Sequence, residues 1–356
     1  MTEQHGSVES PVEVTGGVDT HKDVHVAAAK DALGRVLGTA AFPATTVGCT
    51  ALWVWLCGWG TVVAVGVEGT GSYGAGLARS LSAQGVRVVE VNRPDRAKRR
   101  QHGKSDPQDA INAAAAVQSG DATATPKAGT GIVEAIRMLR MVRAGAVKSR
   151  TVALNQLDSL IVTAPAALRA SLTGLRGSAR LAHCAALPAG IDRANPTQAT
   201  MTALRRLAHR IGHLSEEIAQ ADTDLRALTA QAAPRTLARF GVGPDSAAQL
   251  LSTVGDNPDR LHSEAAFAHL CGVAPIQASS GRTTKHRLNR GGDRAANAAL
   301  HRIVIVRLRY CERTRTYLAK RTSQGLSKRD IIRCLKRYLA REIYNALRAD
   351  FTALSA

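Results

Sequence analysis

Four carboxylates in the first third of the chain have the types and spacing to act together. Asp19 stands in Gly16-Gly17-Val18-Asp19-Thr20-His21-Lys22-Asp23, and Glu68 in Val65-Gly66-Val67-Glu68-Gly69-Thr70-Gly71. Asp106 and Asp109 stand in Lys104-Ser105-Asp106-Pro107-Gln108-Asp109-Ala110, three apart, so a helix carries both on one face. Acids sharing one pocket raise each other's pKa and do not all stay ionised without a cation. Hard divalent cations take oxygen ligands and keep part of their water. The quartet therefore reads as a one- or two-metal site, the kind that positions and polarises a phosphate during strand cleavage. His21 and His25 flank Asp19 and read as packing or surface residues, because such cations prefer oxygen.

For those acids to meet, the surrounding elements have to bring distant stretches together. Asp19 and Glu68 each sit in or just after a short apolar, β-branched run. Residues 14–30 read as a strand, a turn at His21-Lys22-Asp23 and a second strand. Asp31-Ala32-Leu33-Gly34 is a hairpin-type turn into a third. A helix is expected over 45–59, a buried strand over 61–67 ending at Glu68, a helix over 75–84 and a strand over 86–91. Alternating strands and helices predict a mixed α/β sheet. This order is similar to the RNase H-like fold. There the first acid lies on the first strand of a meander, the second ends a later parallel strand, and the last lie on a helix.

The net charge is +19, with 47 Lys and Arg against 28 Asp and Glu, which points to a polyanion partner. Aromatics are only 3%, which weakens any reading built mainly on base stacking. None of the six cysteines forms a CxxC pair, so no zinc ribbon or redox motif is indicated. They read as reduced thiols of a cytoplasmic protein. The most apolar stretch, 52–67, is interrupted by Gly58 and Gly60 and is a poor membrane span. A basic run, Arg93, Arg96, Lys98, Arg99, Arg100, His102 and Lys104, directly precedes the aspartate pair and reads as a phosphate-steering strip.

Residues 1–13 read as a polar, disordered leader. Residues 134–162 read as a helix, basic on one side. A second helix, 197–231, repeats Leu204, Ile211, Ile218 and Leu225 every seven residues. That period predicts a coiled-coil pairing, either with the 134–162 helix or between subunits. Further on, Gly241-Val242-Gly243-Pro244-Asp245 resembles the hairpin of a helix-hairpin-helix, where a helix N-terminus meets a DNA phosphate. The chain from 233 on is strongly basic.

Taken in order, GVDTHKD, VEGTGSYG, KSDPQDA and GVAP…SSG…LNRGGDR resemble the DEDD transposases of insertion-sequence family one hundred and ten, over about residues 14–348. The resemblance implies an α/β plus all-α chain. Its parts are a RuvC-like RNase H-fold catalytic domain over 14–130, a helical coiled-coil region over 131–232, and a mainly helical C-terminal transposase domain over 233–350. It implies Mg²⁺ on Asp19, Glu68, Asp106 and Asp109, and a serine nucleophile at Ser280, with Ser279 as the alternative. It implies a covalent phosphoserine link to double-stranded donor and target DNA, a structured non-coding guide ("bridge") RNA, and a dimer or tetramer. Arg282, Lys285, Arg287, Arg290 and Arg294 would then face nucleic acid near the serine. Two other readings of the same residues are a RuvC-like junction nuclease acting by hydrolysis and an actin-like sugar kinase or ATPase.

Overall fold

The computed structural model describes residues 12–91, 105–192, 194–257, 262–283 and 285–354. The basic strip Arg93, Arg96, Lys98, Arg99, Arg100 and Lys104 lies outside them, as do residues 1–11 of the expected leader. Glu13, expected in that leader, already opens the first strand. The described residues fall into two compact units, one within 1–129 and 255–260, the other within 130–254 and 261–356.

The first unit is a five-stranded mixed sheet. β1 (Glu13–Thr20), β2 (Val24–Asp31) and β3 (Val36–Pro43) form an antiparallel meander. β4 (Thr61–Glu68) joins β1 in parallel and β5 (Arg87–Val91) joins β4 in parallel, giving the order β3-β2-β1-β4-β5. This is the RNase H-like arrangement that the acids require. Two helices, α1 (Thr46–Cys57) and α2 (Ala75–Ala83), bury Leu52, Leu56, Leu77 and Leu81 against Val14, Val18, Val65 and Val67. A third, α3 (Asp106–Gln118), packs Ala110 against Val26 and Ala28. Thr45 caps α1, its hydroxyl accepting from the Gly48 N–H at 3.1 Å.

The second unit is mainly helical. α4 (Gly131–Thr163) and α7 (Pro196–Ala232) run antiparallel, with α5 (Ala166–Leu172) and α6 (Gly177–Ala186) closing the turn between them. The direction follows from two cross-links: Arg143 to Asp222 at 2.5 Å and Arg150 to Ser215 at 3.5 Å. The seven-residue seam is buried at Leu204, Ile211, Ile218 and Leu225, and α4 faces it with Ala146, Ala153 and Leu157. The pairing predicted from the period is thus found inside the chain.

The remaining elements are α8 (Pro234–Leu237), α9 (Pro244–Val254), α10 (Glu264–Leu270), β6 (Ile276–Gln277), β7 (His286–Arg287), α11 (Arg294–Tyr310), α12 (Glu312–Ser323) and α13 (Lys328–Leu354). Val133, Ile136 and Leu225 of the helix pair share one core with Leu251, Phe267, Leu300, Ile343 and Leu347. Ala232 and Ala233 are fully buried, so the chain passes from the helix pair to the C-terminal helices through core, not through a linker. Asp350, 1% exposed, caps α8: its carboxylate accepts from the N–H groups of Arg235 and Thr236, each at 2.9 Å. The helix-hairpin-helix expectation fails at α9. Residues 246–254 of that helix are all buried, and Asp245 at its start pairs with Arg140, Arg143 and Arg302. A carboxylate already held by three guanidiniums stands where a phosphate would bind. Among the described residues, no helix is long and apolar enough to cross a membrane.

Candidate active site

Strand pleating decides which way the acids point. Successive side chains of a strand alternate between faces. Val14 and Val18 pack with α1 and α2, and a Cβ on Gly16 would meet Leu56 and Val65 on that face. Gly17 therefore faces the other way, toward α3, and Asp19 shares its parity. On β4 the same logic holds. Val65 and Val67 face α1 and α2, while a Cβ on Gly66 would meet Val117 and Ala113 of α3, so Glu68 also points to the α3 side. Val18 pairs with Val67 across the parallel ladder, so the two acids end neighbouring strands at the same level. The Thr20 hydroxyl donates to the Glu68 carbonyl at 2.8 Å and ties those strand ends together.

The two glycines set how close α3 can come. A Cβ at Gly17 would lie 2.2 Å from the Ala110 carbonyl oxygen and 2.3 Å from the Ala114 nitrogen. Ala110, Ala113 and Ala114 are fully buried, and their small side chains complete the close approach. Asp106 and Asp109 occupy the first turn of α3, where the helix dipole favours negative charge and Pro107 is tolerated for want of a helical N–H partner.

The result is a compact donor group. One oxygen each from Asp19 and Asp106 and one nitrogen of His21 lie within 4.8 Å of one another. His21 Nε2 is 3.1 Å from Asp19 Oδ2 and 3.5 Å from Asp106 Oδ1. Asp19 is buried, and its carboxyl is held above the usual range, chiefly by desolvation. His21 opposes that rise, and the negative charges of Asp109 and Asp106 add to it. Asp109 is 3% exposed. Asp109 and Glu68 lie outside the tight trio, the first within electrostatic reach of Asp19, the second on the same sheet face. Burial pushes the His25 imidazole below its ordinary range, and His21 adds to that, in keeping with the packing role read for His25.

A cation suits this group. Its donors are mainly carboxylate oxygens, and an acid pushed upward by burial and, to a lesser degree, by neighbouring carboxylates is an acid short of positive charge. His21, read from the sequence as a packing or surface residue, is brought instead to both Asp19 and Asp106. It stands two places after Asp19, the spacing that keeps a side chain on the same face as a strand ends, and that spacing was the available signal.

The serine block lies in the second unit. β6 and β7 form a two-residue ladder, Ile276 with Arg287 and Gln277 with His286, and the hairpin continues to a Ser280–Thr283 bridge. Gly281 turns the chain at φ +54. Both serines are exposed, but their hydroxyls differ. Ser279 Oγ accepts from the Lys285 N–H at 3.1 Å and faces its carbonyl at 3.4 Å. The Ser280 hydroxyl makes no side-chain hydrogen bond among the described residues. Arg282, Lys285, Arg287, Arg290 and Arg294 are all exposed around this hairpin. Gly292 of the LNRGGDR block explains itself by backbone approach: a Cβ there would lie 2.3 Å from the Gly272 nitrogen.

Residues 16–164 match the family model of the DEDD transposases of IS110 type. Residues 235–319 match the transposase family IS116/IS110/IS902. Together the two matches span well over half of the chain and contain every acid of the quartet and both serines. No curated protein matches the sequence.

Proposed function

The chain belongs to the IS110-family transposases, and on that premise we propose that it cuts and rejoins DNA through a covalent phosphoserine on Ser280, assisted by Mg²⁺ at the acid cluster. DNA is the partner of a transposase, and the family assignment decides against the kinase reading of the same core. The observation that carries the metal half is the crowding around Asp19: a buried carboxyl, raised by desolvation and by Asp109 and Asp106, within reach of His21. Asp19, Glu68, Asp106 and Asp109 would hold the ion, with His21 at its edge. When bound, Mg²⁺ would make the phosphorus more electrophilic and ease departure of the leaving oxygen.

The chain's own residues account for the rest. Ser280 Oγ attacks phosphorus, forming an O–P bond as the bond from phosphorus to the leaving deoxyribose oxygen breaks. The serine loses its proton and the leaving oxygen gains one. The phosphodiester energy is kept in the phosphoserine, so a deoxyribose hydroxyl of the new partner can reverse the step without ATP. Arg282, Lys285 and Arg287 neutralise the non-bridging oxygens as charge builds on them. Ser280 is favoured over Ser279 because the Ser279 hydroxyl is already engaged by the Lys285 backbone.

The test is an adduct that survives denaturation, formed on labelled donor DNA. Ser280→Ala is expected to abolish it and Ser279→Ala to retain it. Cleavage without an adduct would instead favour the hydrolytic junction nuclease. A structured guide RNA and assembly as a dimer or tetramer belong to the same reading. Sequencing of RNA copurified with the full chain, and the mass of the purified complex, test them.

A further inference from the structure

Beside the β6–β7 hairpin, the second unit contains a cavity of about 780 Å³. That is within the usual range of about 300–1,000 Å³ for small-ligand sites. Six cations line it: Arg287, Arg290 and Arg294 from the hairpin side, and Arg333, Lys336 and Arg337 from α13. Among the described residues, no carboxylate does. Arg333 is paired with Asp330 at 2.6 Å and Arg337 with Glu264. Arg287, Arg290, Arg294 and Lys336 have no carboxylate partner among the described residues.

The Lys336 ammonium is instead placed by a neutral group. It donates to Asn297 Oδ1 at 2.8 Å, and the Asn297 amide is fixed in turn by donating to the Cys271 and Gly272 carbonyls, each at 3.0 Å. Val273, Pro275, Leu288 and the ring of Tyr338 supply an apolar side, next to the polar side chains of His286 and Asn289. Tyr317 holds that ring edge-on, at 5.8 Å between centroids.

Each alternative occupant leaves part of this wall unused. An inorganic anion does not need the apolar side, and an apolar molecule does not need four unpaired cations. A paired duplex keeps its base faces stacked inside and offers phosphates, sugars and base edges, none of which is a flat apolar face. A single nucleotide out of the stack has both chemistries, a flat apolar base and an attached anion. We propose that this cavity holds one unpaired nucleotide of the DNA substrate, its base against Leu288 and Tyr338 and its phosphate on Lys336 and the neighbouring arginines. The inference rests on the transposase reading. Because Arg287 belongs both to the cavity and to the hairpin bearing Ser280, a nucleotide seated here would fix the register of the phosphates next to it.

The experiment compares binding of the full chain, by fluorescence anisotropy, to a fully paired DNA duplex and to the same duplex with one extrahelical nucleotide. Wild type is expected to prefer the second by about tenfold, the scale of one stacking contact plus its phosphate. Tyr338→Ala, at an exposed position, should remove most of that preference while paired binding stays level, and Lys336→Gln should remove it as well. No preference in wild type, or a preference surviving both substitutions, overturns the inference. A stronger preference for an unpaired nucleotide in an RNA duplex overturns the assignment to DNA. The Ser280-dependent adduct separates the two levels. If it forms while the preference is absent, the cavity inference falls alone, and if neither adduct nor duplex binding is seen, the transposase mechanism falls with it.

Discussion

Asp19 lies on a strand paired on both sides, 7% exposed, with the backbone of α3 pressed onto the glycine two places before it. Ser280 lies on an exposed turn beyond a ladder of two-residue strands, with open space around Gly281. The contrast fits what each group would do in the proposed reaction. Like charges held together are costly, so an acid cluster persists only where the fold over-determines its positions. A nucleophile for a polymer has to be reached by that polymer, so it belongs on a projecting element that costs little to hold. The most severe test of this division is Asp106→Asn, which keeps the shape of the cluster and removes one charge. Strand exchange should fall by about a thousandfold, roughly 4 kcal/mol of barrier, while DNA affinity measured by anisotropy stays within about twofold. An equal loss of affinity would place Asp106 in binding and not in catalysis.

The acid side is next probed through its scaffold. Gly17→Ala puts a methyl 2.2 Å from a backbone oxygen of α3, and neither partner is a flexible side chain that can swing away. The expected cost is about 3 kcal/mol or more, above the common range for overpacking because backbone has to move. Thermal unfolding of the full chain measures it. A loss of less than about 1 kcal/mol would mean that α3 is not clamped on the strand as argued.

How far the sequence could reach divides along the same line. The strands bearing Asp19 and Glu68 were legible because short apolar, β-branched runs mark them, whereas the arrangement of those strands came from the resemblance to the RNase H-like fold. The heptad seam at Leu204, Ile211, Ile218 and Leu225 was legible as well, its period being a local property. What escaped depends on partners far along the chain. Gly17 and Gly66 look like ordinary strand glycines until α3 is seen lying on them. His21 looks like a turn residue until Asp106 arrives from more than eighty positions away. The helix-hairpin-helix reading of Gly241 to Asp245 was locally sound. It fails because Arg143 and Arg302, 102 and 57 positions distant, take the helix start for a structural ion network.

The second unit offers a milder comparison through an ion pair that supports the basic helices. Arg307 donates to both oxygens of Glu342, at 2.7 and 2.8 Å, and this interaction holds the Glu342 carboxyl below its usual range. A depressed folded pKa stabilises above the unfolded value and is lost as pH falls through the folded one. Glu342→Gln should therefore cost about 1 kcal/mol at neutral pH, the scale of a partly exposed charged pair. The gap between variant and wild type should shrink as pH drops below about 4.5, the ordinary carboxyl value for this residue. Chemical denaturation at several pH values follows it, and a gap that widened in acid would reverse the assignment.

The smallest effect on stability is expected where the same substitution used on the strand is moved to the hairpin. Gly281 has φ +54, a conformation that costs an L-residue about 1 kcal/mol, yet a Cβ there meets no atom within 4 Å. Gly281→Ala thus pays only a local conformational cost at an exposed turn, in place of a collision in the core. The midpoint of global unfolding should scarcely move, because the turn can relax on its own before the unit unfolds. Adduct formation should nevertheless drop several-fold, since the turn sets where the neighbouring Ser280 hydroxyl points. If Gly281→Ala proved as damaging to the fold as Gly17→Ala, the hairpin would be part of the core framework and the division between rigid acid centre and projecting nucleophile would not hold. If it left both stability and adduct untouched, the orientation of Ser280 would have to be set by bound DNA and not by the turn.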